Sequence, residues 1–347
     1  MMQLTKTDGG TFDNDATACF DRIIPALTNV RSRQLGVPAA ACHMHAELLL
    51  KAKYALKTQA GISDQSYSSS DEEPLYGEGQ GTRWATAAWV VISTLMIGLM
   101  PKKADGIQFE DPQQTMIVKR IMDGFVDDTT IWQNLSNNLD ALSQGSIGEI
   151  ADRLRTAAQW WEELLHATGG KLELPKCFYY LLHWVFDIEG EARLATPEEL
   201  NIQITLRQST DAQDVNITQR CCTASHRTLG VHENPSGNLQ TELEHLLSKG
   251  KRMAHLISAR LITRFEAWTA YRSIYLLSMS YSLPSTSFNR RELDRVQSSP
   301  IRAILAAMGF NRNMPREVVF GPISNGGIGL RHLYVEQGCQ KISALLQ

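Results

Sequence analysis

Two adjacent carboxylates stand between apolar residues in the stretch Gly124-Phe125-Val126-Asp127-Asp128-Thr129-Thr130-Ile131-Trp132. The β-branched and aromatic residues on both sides favour extended structure, so this stretch predicts a hairpin with the acidic pair at its tip. Side chains alternate between the two faces of a strand, which should splay Asp127 and Asp128 apart. Two nearby carboxylates repel unless a cation lies between them, and Mg²⁺ is the usual cation for such ligands. A solvated turn is the alternative, because turns favour Asp in any case.

A third carboxylate, Asp15, lies near the start of the chain in Thr11-Phe12-Asp13-Asn14-Asp15-Ala16-Thr17-Ala18-Cys19-Phe20-Asp21. This pattern predicts a short strand that ends at Asp15, followed by a helical turn. Taken alone, Asp15 is more simply interpreted as a helix N-cap. It becomes a candidate metal ligand only in combination with the acidic pair further along the chain.

A glycine-rich turn, Tyr76-Gly77-Glu78-Gly79-Gln80-Gly81-Thr82, precedes an apolar segment predicted to be helical through Ile97. Three glycines in five positions allow the backbone to approach a ligand closely, and a helix N-terminus favours anions. A plain linker is the alternative, because residues 61–74 before it are polar and predict a loop. Further upstream, residues 43–57 predict an amphipathic helix.

Length and composition describe a folded protein with two or three lobes. The chain has 347 residues, of which 43% are hydrophobic and 20% are charged. No apolar run reaches the roughly 18 residues of a membrane span, and the N-terminus lacks the apolar core of a signal peptide. The six cysteines show no C-x-x-C spacing, which indicates free thiols. We therefore expect an intracellular protein of the nucleus or cytoplasm, without a membrane partner.

Charge is unevenly distributed along the chain. Residues 249–316 contain twelve Lys and Arg against three acidic residues, a net charge of +9 within a chain whose total is -3. This asymmetry suits a basic lobe that contacts a phosphate backbone beside an acidic, metal-binding lobe. A solvated helical face is the equally simple alternative.

The remaining pattern predicts an alternation of helices and short strands. It favours a helix over 151–168, a turn into a strand from 169, a hairpin of residues 202–206 and 215–217, and basic helices over 239–308.

Taken in chain order, the short motifs of this sequence resemble those of the palm and thumb of reverse transcriptases, and most closely those of non-long-terminal-repeat retroelements. Five motifs carry the resemblance: Asp15-x-x-x-x-Phe20-Asp21, Gly79-Gln80-Gly81, Phe125-Val126-Asp127-Asp128, Gly170-Lys171-Leu172 with Lys176, and the primer-grip-like Leu229-Gly230-Val231. Pro315-Arg316 and Gly326-Gly327-Ile328-Gly329-Leu330 are similar to the region after the thumb. Each motif is short, but five in the family's order are far more specific than one.

The resemblance implies an α+β fold, with a small antiparallel palm sheet backed by helices and then a helical thumb. It implies a palm at residues 1–235, a basic thumb at 236–316 and a post-thumb connection at 317–347. The implied activity is RNA-directed DNA polymerisation, with an RNA template, a DNA primer and deoxynucleoside triphosphates as partners. Two Mg²⁺ ions are the implied cofactors, with Mn²⁺ as an alternative.

The resemblance also assigns site residues. Asp15 and Asp127 would hold the metal ions, with Asp128 in a weaker supporting contact. Phe20 would lie under the nucleotide sugar and exclude a 2'-hydroxyl. The other implied contacts are Gln80, Gly81 and Lys171 to the nucleotide, and Leu229 and Gly230 to the primer.

Two departures from the family pattern leave alternatives open. Ala85-Thr86 stands where the second motif commonly continues with Ser-Pro. Only 14 residues precede Asp15, so the fingers are expected to be missing or truncated. An inactive retroelement remnant that binds nucleic acid is therefore one alternative. Another metal-dependent nucleotidyl transfer on a related palm is the second.

Overall fold

The chain divides into two compact units, Met1–Cys222 and Thr223–Gln347, each with its own hydrophobic core. The computed structural model describes residues 7–70, 77–79, 82–110, 115–135 and 146–346. Helices alternate with small, mainly antiparallel sheets along the first unit, and the second unit is mainly helical. The α+β class expected from the sequence is confirmed at this level.

Short strands make up much of the first unit. In chain order they are β1 (Gly9–Asn14), β2 (Lys53–Thr58), β3 (Gly61–Ser68), β4 (Ile107–Glu110), β5 (Ile117–Arg120), β6 (Met122–Phe125), β7 (Asp128–Asn134), β8 (Phe178–Leu182), β9 (Trp184–Phe186), β10 (Ala192–Leu194), β11 (Thr205–Arg207), β12 (Asp214–Asn216) and β13 (Thr218–Gln219). Five of them form the central sheet, in the order β13-β8-β1-β7-β6. Pairing in this sheet is antiparallel except between β8 and β13.

The first unit also contains six helices among its described residues. They are α1 (Cys19–Arg22), α2 (Pro25–Gln34), α3 (Ala39–Lys51), α4 (Arg83–Leu99), α5 (Ile147–Ala167) and α6 (Pro197–Leu200), with 3₁₀ turns at Met100–Lys102 and Leu174–Lys176. The α5 helix begins at Ile147, four residues before its predicted start, and buries one apolar face on β1 and β7. Gly10 permits this close packing, because a Cβ there would lie 3.1 Å from Cδ2 of Leu154.

The segment after α3 is a hairpin, which corrects two predictions from the sequence. The helix predicted over 43–57 ends at Lys51, and much of the predicted polar loop is β3, paired with β2. The Tyr54 and Tyr67 rings stack across the two strands with centroids 5.3 Å apart, a pairing that local periodicity does not reveal. Residues 71–74 of the predicted loop lie outside the described residues.

The α4 helix is long and strongly apolar. With the 3₁₀ turn that follows, it is long and apolar enough to cross a membrane by length and composition alone. A core helix of a soluble protein passes the same test, and Trp89, Ile92 and Met96 of α4 are buried in the core of the first unit.

The second unit is a helical bundle with one small hairpin. Its elements are β14 (His226–Thr228), β15 (Val231–Glu233), α7 (Gln240–Ser258), α8 (Arg264–Ala270), a π-helical turn (Tyr271–Leu276), α9 (Leu277–Ser280), α10 (Arg290–Ala307), α11 (Arg316–Phe320), a 3₁₀ turn (Ile323–Asn325) and α12 (Leu333–Leu346). The helices predicted over 239–308 are present but interrupted. After the interruptions, α8 and α10 restart behind capping boxes at Thr263 and Asn289, which define the new N-termini.

Candidate active site

Asp15 directly follows β1, the middle strand of the central sheet, as predicted. Asn14 pairs with Thr129 on β7, and Asp13 pairs with Phe178 on β8. Continuing the β1–β7 register by one residue places Asp15 opposite Asp128. Continuing the β1–β8 register by two residues places Asp15 opposite Lys176. The sheet therefore brings the first predicted carboxylate beside the acidic pair, across more than 110 residues of sequence.

The acidic pair lies at the tip of the β6–β7 hairpin, and the predicted hairpin is confirmed. Phe125 pairs with Asp128, so Val126 and Asp127 form a two-residue turn. Val126 has a φ of 58°, a conformation that glycine normally supplies at this position and that costs energy for a β-branched residue. The Val126 carbonyl accepts a hydrogen bond from the indole Nε1 of Trp89 on α4.

The three carboxylates share one electrostatic environment. Burial raises the pKa of Asp128, and the negative charges of Asp127 and Asp15 raise it further. The pKa of the buried Cys19 thiol is raised to about 12 by burial, and Asp127 and Asp15 contribute to this shift also. Cys19 at the start of α1 therefore lies within the field of the same carboxylates.

Lys176 supplies a positive charge to this cluster. Its Nζ lies 2.9 Å from Oδ2 of Asp15, and this hydrogen bond is the main cause of the raised pKa of Lys176. The Lys176 side chain is 66% exposed and that of Asp15 is 27% exposed, so the pair is accessible to solvent and to competing cations.

The chemistry of the donors at this edge of the sheet fits a hard divalent cation. Carboxylate oxygens are what Mg²⁺ prefers, and a cation would relieve the repulsion among Asp15, Asp127 and Asp128. Within the described ranges, no three His, Cys, Asp or Glu side chains converge closely enough to hold a metal as they stand. The carboxylates could therefore hold an ion together with water and substrate oxygens, rather than as a closed protein cage.

Asp13 is a fourth carboxylate at this site, and the sequence analysis did not select it. Its Oδ1 accepts a hydrogen bond of 2.6 Å from the Thr130 hydroxyl. Burial raises the pKa of Asp13 to about 6, against the lowering effects of Thr130 and Arg220, and Asp128 adds a small further increase. The sequence does contain a pattern that points to Asp13. Asp13 and Asp15 are two residues apart in an extended segment, so their side chains share one face.

Phe20 lies beside the site on α1. Its ring meets the Trp89 ring edge-on with centroids 6.4 Å apart, and its carbonyl accepts a 2.7 Å hydrogen bond from the Glu78 amide. The glycine-rich turn therefore contacts the first predicted motif through its backbone. Gln80 and Gly81, the predicted nucleotide contacts in that turn, lie outside the described residues.

A buried contact between Glu78 and His45 anchors the same turn to α3. Glu78 is 1% exposed and His45 is 5% exposed, and Oε2 of Glu78 lies 2.8 Å from Nε2 of His45. Nδ1 of His45 lies 3.2 Å from Oδ1 of Asn29, and the Trp84 ring packs on the imidazole with centroids 4.4 Å apart. Burial raises the pKa of Glu78 to about 7 and lowers the pKa of His45.

The other predicted contacts fall in two places. Lys171 lies beside the chain that follows Asp15, where its carbonyl accepts a 2.8 Å hydrogen bond from the Thr17 amide. Leu229 and Gly230 belong to the second unit and form the turn between β14 and β15, with φ values of 48° and 90°. The Leu229 carbonyl accepts a 2.7 Å hydrogen bond from the Tyr281 hydroxyl.

Comparison with known proteins gives distant structural likenesses only. No family model matches the chain, and a search of curated proteins also gives no match. Telomerase from Candida tropicalis, solved with the TWJ fragment of telomeric RNA, aligns with 88% of this chain and 44% of its own at 9% identity and a TM-score of 0.31. Telomerase from Candida albicans, solved with the same RNA fragment, aligns with 89% of this chain and 47% of its own at 10% identity and a TM-score of 0.31.

The chain therefore spans less than half the length of either telomerase chain.

Proposed function

We propose that this chain contains the palm and thumb of a retroelement reverse transcriptase, which joins deoxynucleotides to the 3'-hydroxyl of a primer on an RNA template. The observation that carries the proposal is the arrangement of Asp15, Asp127 and Asp128. Antiparallel pairing of β1 with β7 brings these three carboxylates to one edge of a central sheet, where their charges interact.

The residues at this edge have distinct roles in the proposed reaction. Asp15 and Asp127 would hold Mg²⁺, with Asp128 in support, and the bound ions would stabilise the attacking and leaving oxygens. Lys176 offsets part of the negative charge while it contacts Asp15. Phe20 would pack against the nucleotide sugar, where its ring leaves no room for a 2'-hydroxyl.

Several partner contacts belong to the same proposal. Lys171, Gln80 and Gly81 would contact the incoming nucleotide. Leu229 and Gly230 would contact the primer. The basic residues between 249 and 316 would follow the duplex backbone, since phosphate contacts position a nucleic acid without reading its sequence.

A second candidate is nucleic-acid binding without polymerisation. Two observations favour it: Asp15 is already paired with Lys176, and the net charge of residues 249–316 is +9. Under this candidate, the chain binds RNA–DNA duplex through its basic face, and the carboxylates do no chemistry.

Primer extension separates the two candidates. The full chain is incubated with Mg²⁺, an RNA template annealed to a DNA primer, and deoxynucleoside triphosphates, and duplex binding is measured in parallel. Asp15→Asn and Asp127→Asn should each abolish extension, because each removes a charged ligand, while duplex binding stays within about twofold. Asp64→Asn, which removes a charge from the exposed β3 strand, should extend like the wild type.

Three results would contradict the proposal in different ways. Full extension by Asp127→Asn would refute the site assignment. Duplex binding by the wild type without extension would establish the second candidate. Products that do not depend on the template sequence would indicate another nucleotidyl transfer.

A further inference from the structure

We propose that a cavity in the second unit, lined by residues of α10, α11 and the start of α12, binds a phosphate group through Arg290, Arg302 and Arg316. The cavity has a volume of about 680 Å³, which is within the range of small-molecule sites. It is formed by residues of the second unit alone. Its three arginines belong to the basic segment 249–316, so a strand contact would rest on the nucleic-acid binding proposed above, whereas a small-molecule phosphate site would not.

The arginines in this cavity have unused hydrogen-bonding capacity. Across the described part of the chain, no ion pair joins Arg290, Arg302 or Arg316 to a carboxylate. Nη1 of Arg316 is buried and has no hydrogen-bond partner among the described residues. A buried charged donor without a partner is costly, and a phosphate oxygen is the acceptor that a planar guanidinium matches best.

One carboxylate of the lining, Asp294, is already engaged. Oδ1 of Asp294 lies 2.8 Å from Nε2 of His332 and accepts a 3.1 Å hydrogen bond from the Gln297 amide. Nδ1 of His332 accepts a 3.1 Å hydrogen bond from the Tyr334 backbone amide, and Nε2 also lies 2.8 Å from the amide nitrogen of Gln297. Asp294 is therefore occupied by donors other than arginine.

The remaining lining suits a ligand larger than a bare anion. Glu317 is exposed at the rim and pairs with no arginine among the described residues. Phe320 and Tyr334 add aromatic surface, and the Phe320 ring meets His332 edge-on with centroids 4.8 Å apart. A phosphate on a nucleotide-sized molecule and a phosphodiester of a nucleic-acid strand would both present the required oxygens.

Calorimetric titration of the full chain tests this site with three probes. They are inorganic phosphate, AMP and a twelve-nucleotide oligodeoxythymidine with a 5'-hydroxyl, all at one ionic strength. Arg316→Gln and Arg302→Gln should each weaken binding of at least one probe by about tenfold, because each removes a charge-assisted hydrogen bond. Lys341→Gln, on α12 but outside the cavity and outside the basic segment 249–316, removes the same charge and should change binding less than twofold.

The pattern of losses identifies the source of the phosphate. Weaker binding of phosphate and AMP supports a small-molecule site, and weaker binding of the oligonucleotide supports a strand contact. Because Arg316 is partly buried, Arg302→Gln decides the matter if Arg316→Gln does not fold by circular dichroism. Wild-type chain that binds none of the probes, or equal effects of Arg302→Gln and Lys341→Gln, would overturn the proposal.

Discussion

The indole Nε1 of Trp89 donates a hydrogen bond to the carbonyl oxygen of Val126, at the tip of the acidic hairpin. The two residues belong to different elements, α4 and the β6–β7 turn. The acceptor residue, Val126, directly precedes Asp127 in the chain. Val126 is held at a φ of 58°, so the turn needs support to keep this conformation. The bond therefore links the apolar core to the position of a proposed metal ligand.

Trp89→Phe should lower the rate of primer extension by more than its small cost in the free energy of unfolding explains. The change keeps most of the buried ring but leaves the partly exposed Val126 carbonyl without this donor, at a cost of about 0.5–1.5 kcal/mol. A small displacement of Asp127 should lower the extension rate by roughly 10- to 100-fold. Trp160→Phe is the matched control, since its Nε1 donates to the Leu99 carbonyl instead. Equal losses of rate in both variants would indicate general destabilisation.

Removing the Lys176 ammonium should strengthen cation binding at the carboxylate cluster. Lys176 competes for Oδ2 of Asp15, and an exposed pair of this kind is weak because solvent screens it. Lys176→Gln should therefore tighten Mn²⁺ binding by about two- to fivefold, measured by electron paramagnetic resonance of free Mn²⁺. Lys57→Gln, an exposed change of equal charge on β2, should have no effect. Weaker Mn²⁺ binding in Lys176→Gln would mean that the ion does not contact Asp15.

The buried Glu78–His45 pair should make stability depend on pH near neutrality. The pKa of Glu78 is raised by burial from 4.5 to about 7, so the folded chain keeps a proton that the unfolded chain releases. This contribution is present at low pH and is lost as pH rises from 4.5 through about 7. The lowered pKa of His45 acts in the opposite direction below its ordinary value of 6.5, so the net loss should concentrate around pH 7.

Urea unfolding between pH 5.5 and 8.5 measures this effect. The free energy of unfolding should fall across pH 7 in the wild type, and Glu78→Gln should remove that part of the slope because an amide does not titrate. His45→Gln should change the slope below pH 6.5 instead. An identical pH profile for the wild type and Glu78→Gln would mean that the pair does not control stability.

The parts of the site that follow from local sequence were predictable. The hairpin at Asp127-Asp128 and the strand that ends at Asp15 rest on β-branched and aromatic patterns, and both are present. Motif order then placed the three carboxylates in one proposed site. Their functional assignment to metal binding stays a prediction.

Contacts set by register and tertiary packing could not be predicted from local sequence. The pairing of Lys176 with Asp15 depends on β8 lying beside β1, and the pairing of Glu78 with His45 joins a glycine turn to a helix. The β2–β3 hairpin was missed because Tyr54 and Tyr67 support each other only after the strands pair. Hydrophobic periodicity is a property of one segment, whereas each of these contacts joins two segments that are separate in sequence.

Phe20→Ala should admit ribonucleotides if the ring fills the space that a 2'-hydroxyl requires. The ring is half-buried, packs against the core of the first unit and meets Trp89 edge-on, so the change should also cost about 1–3 kcal/mol of stability. The deciding measurement is therefore the ratio of ribonucleotide to deoxyribonucleotide incorporation in the folded variant, which stability alone does not change. Leu27→Ala removes a partly buried side chain from the same core and should lower stability without moving this ratio. A ratio that is unchanged in Phe20→Ala would make the ring a core residue and leave sugar selection to another part of the site.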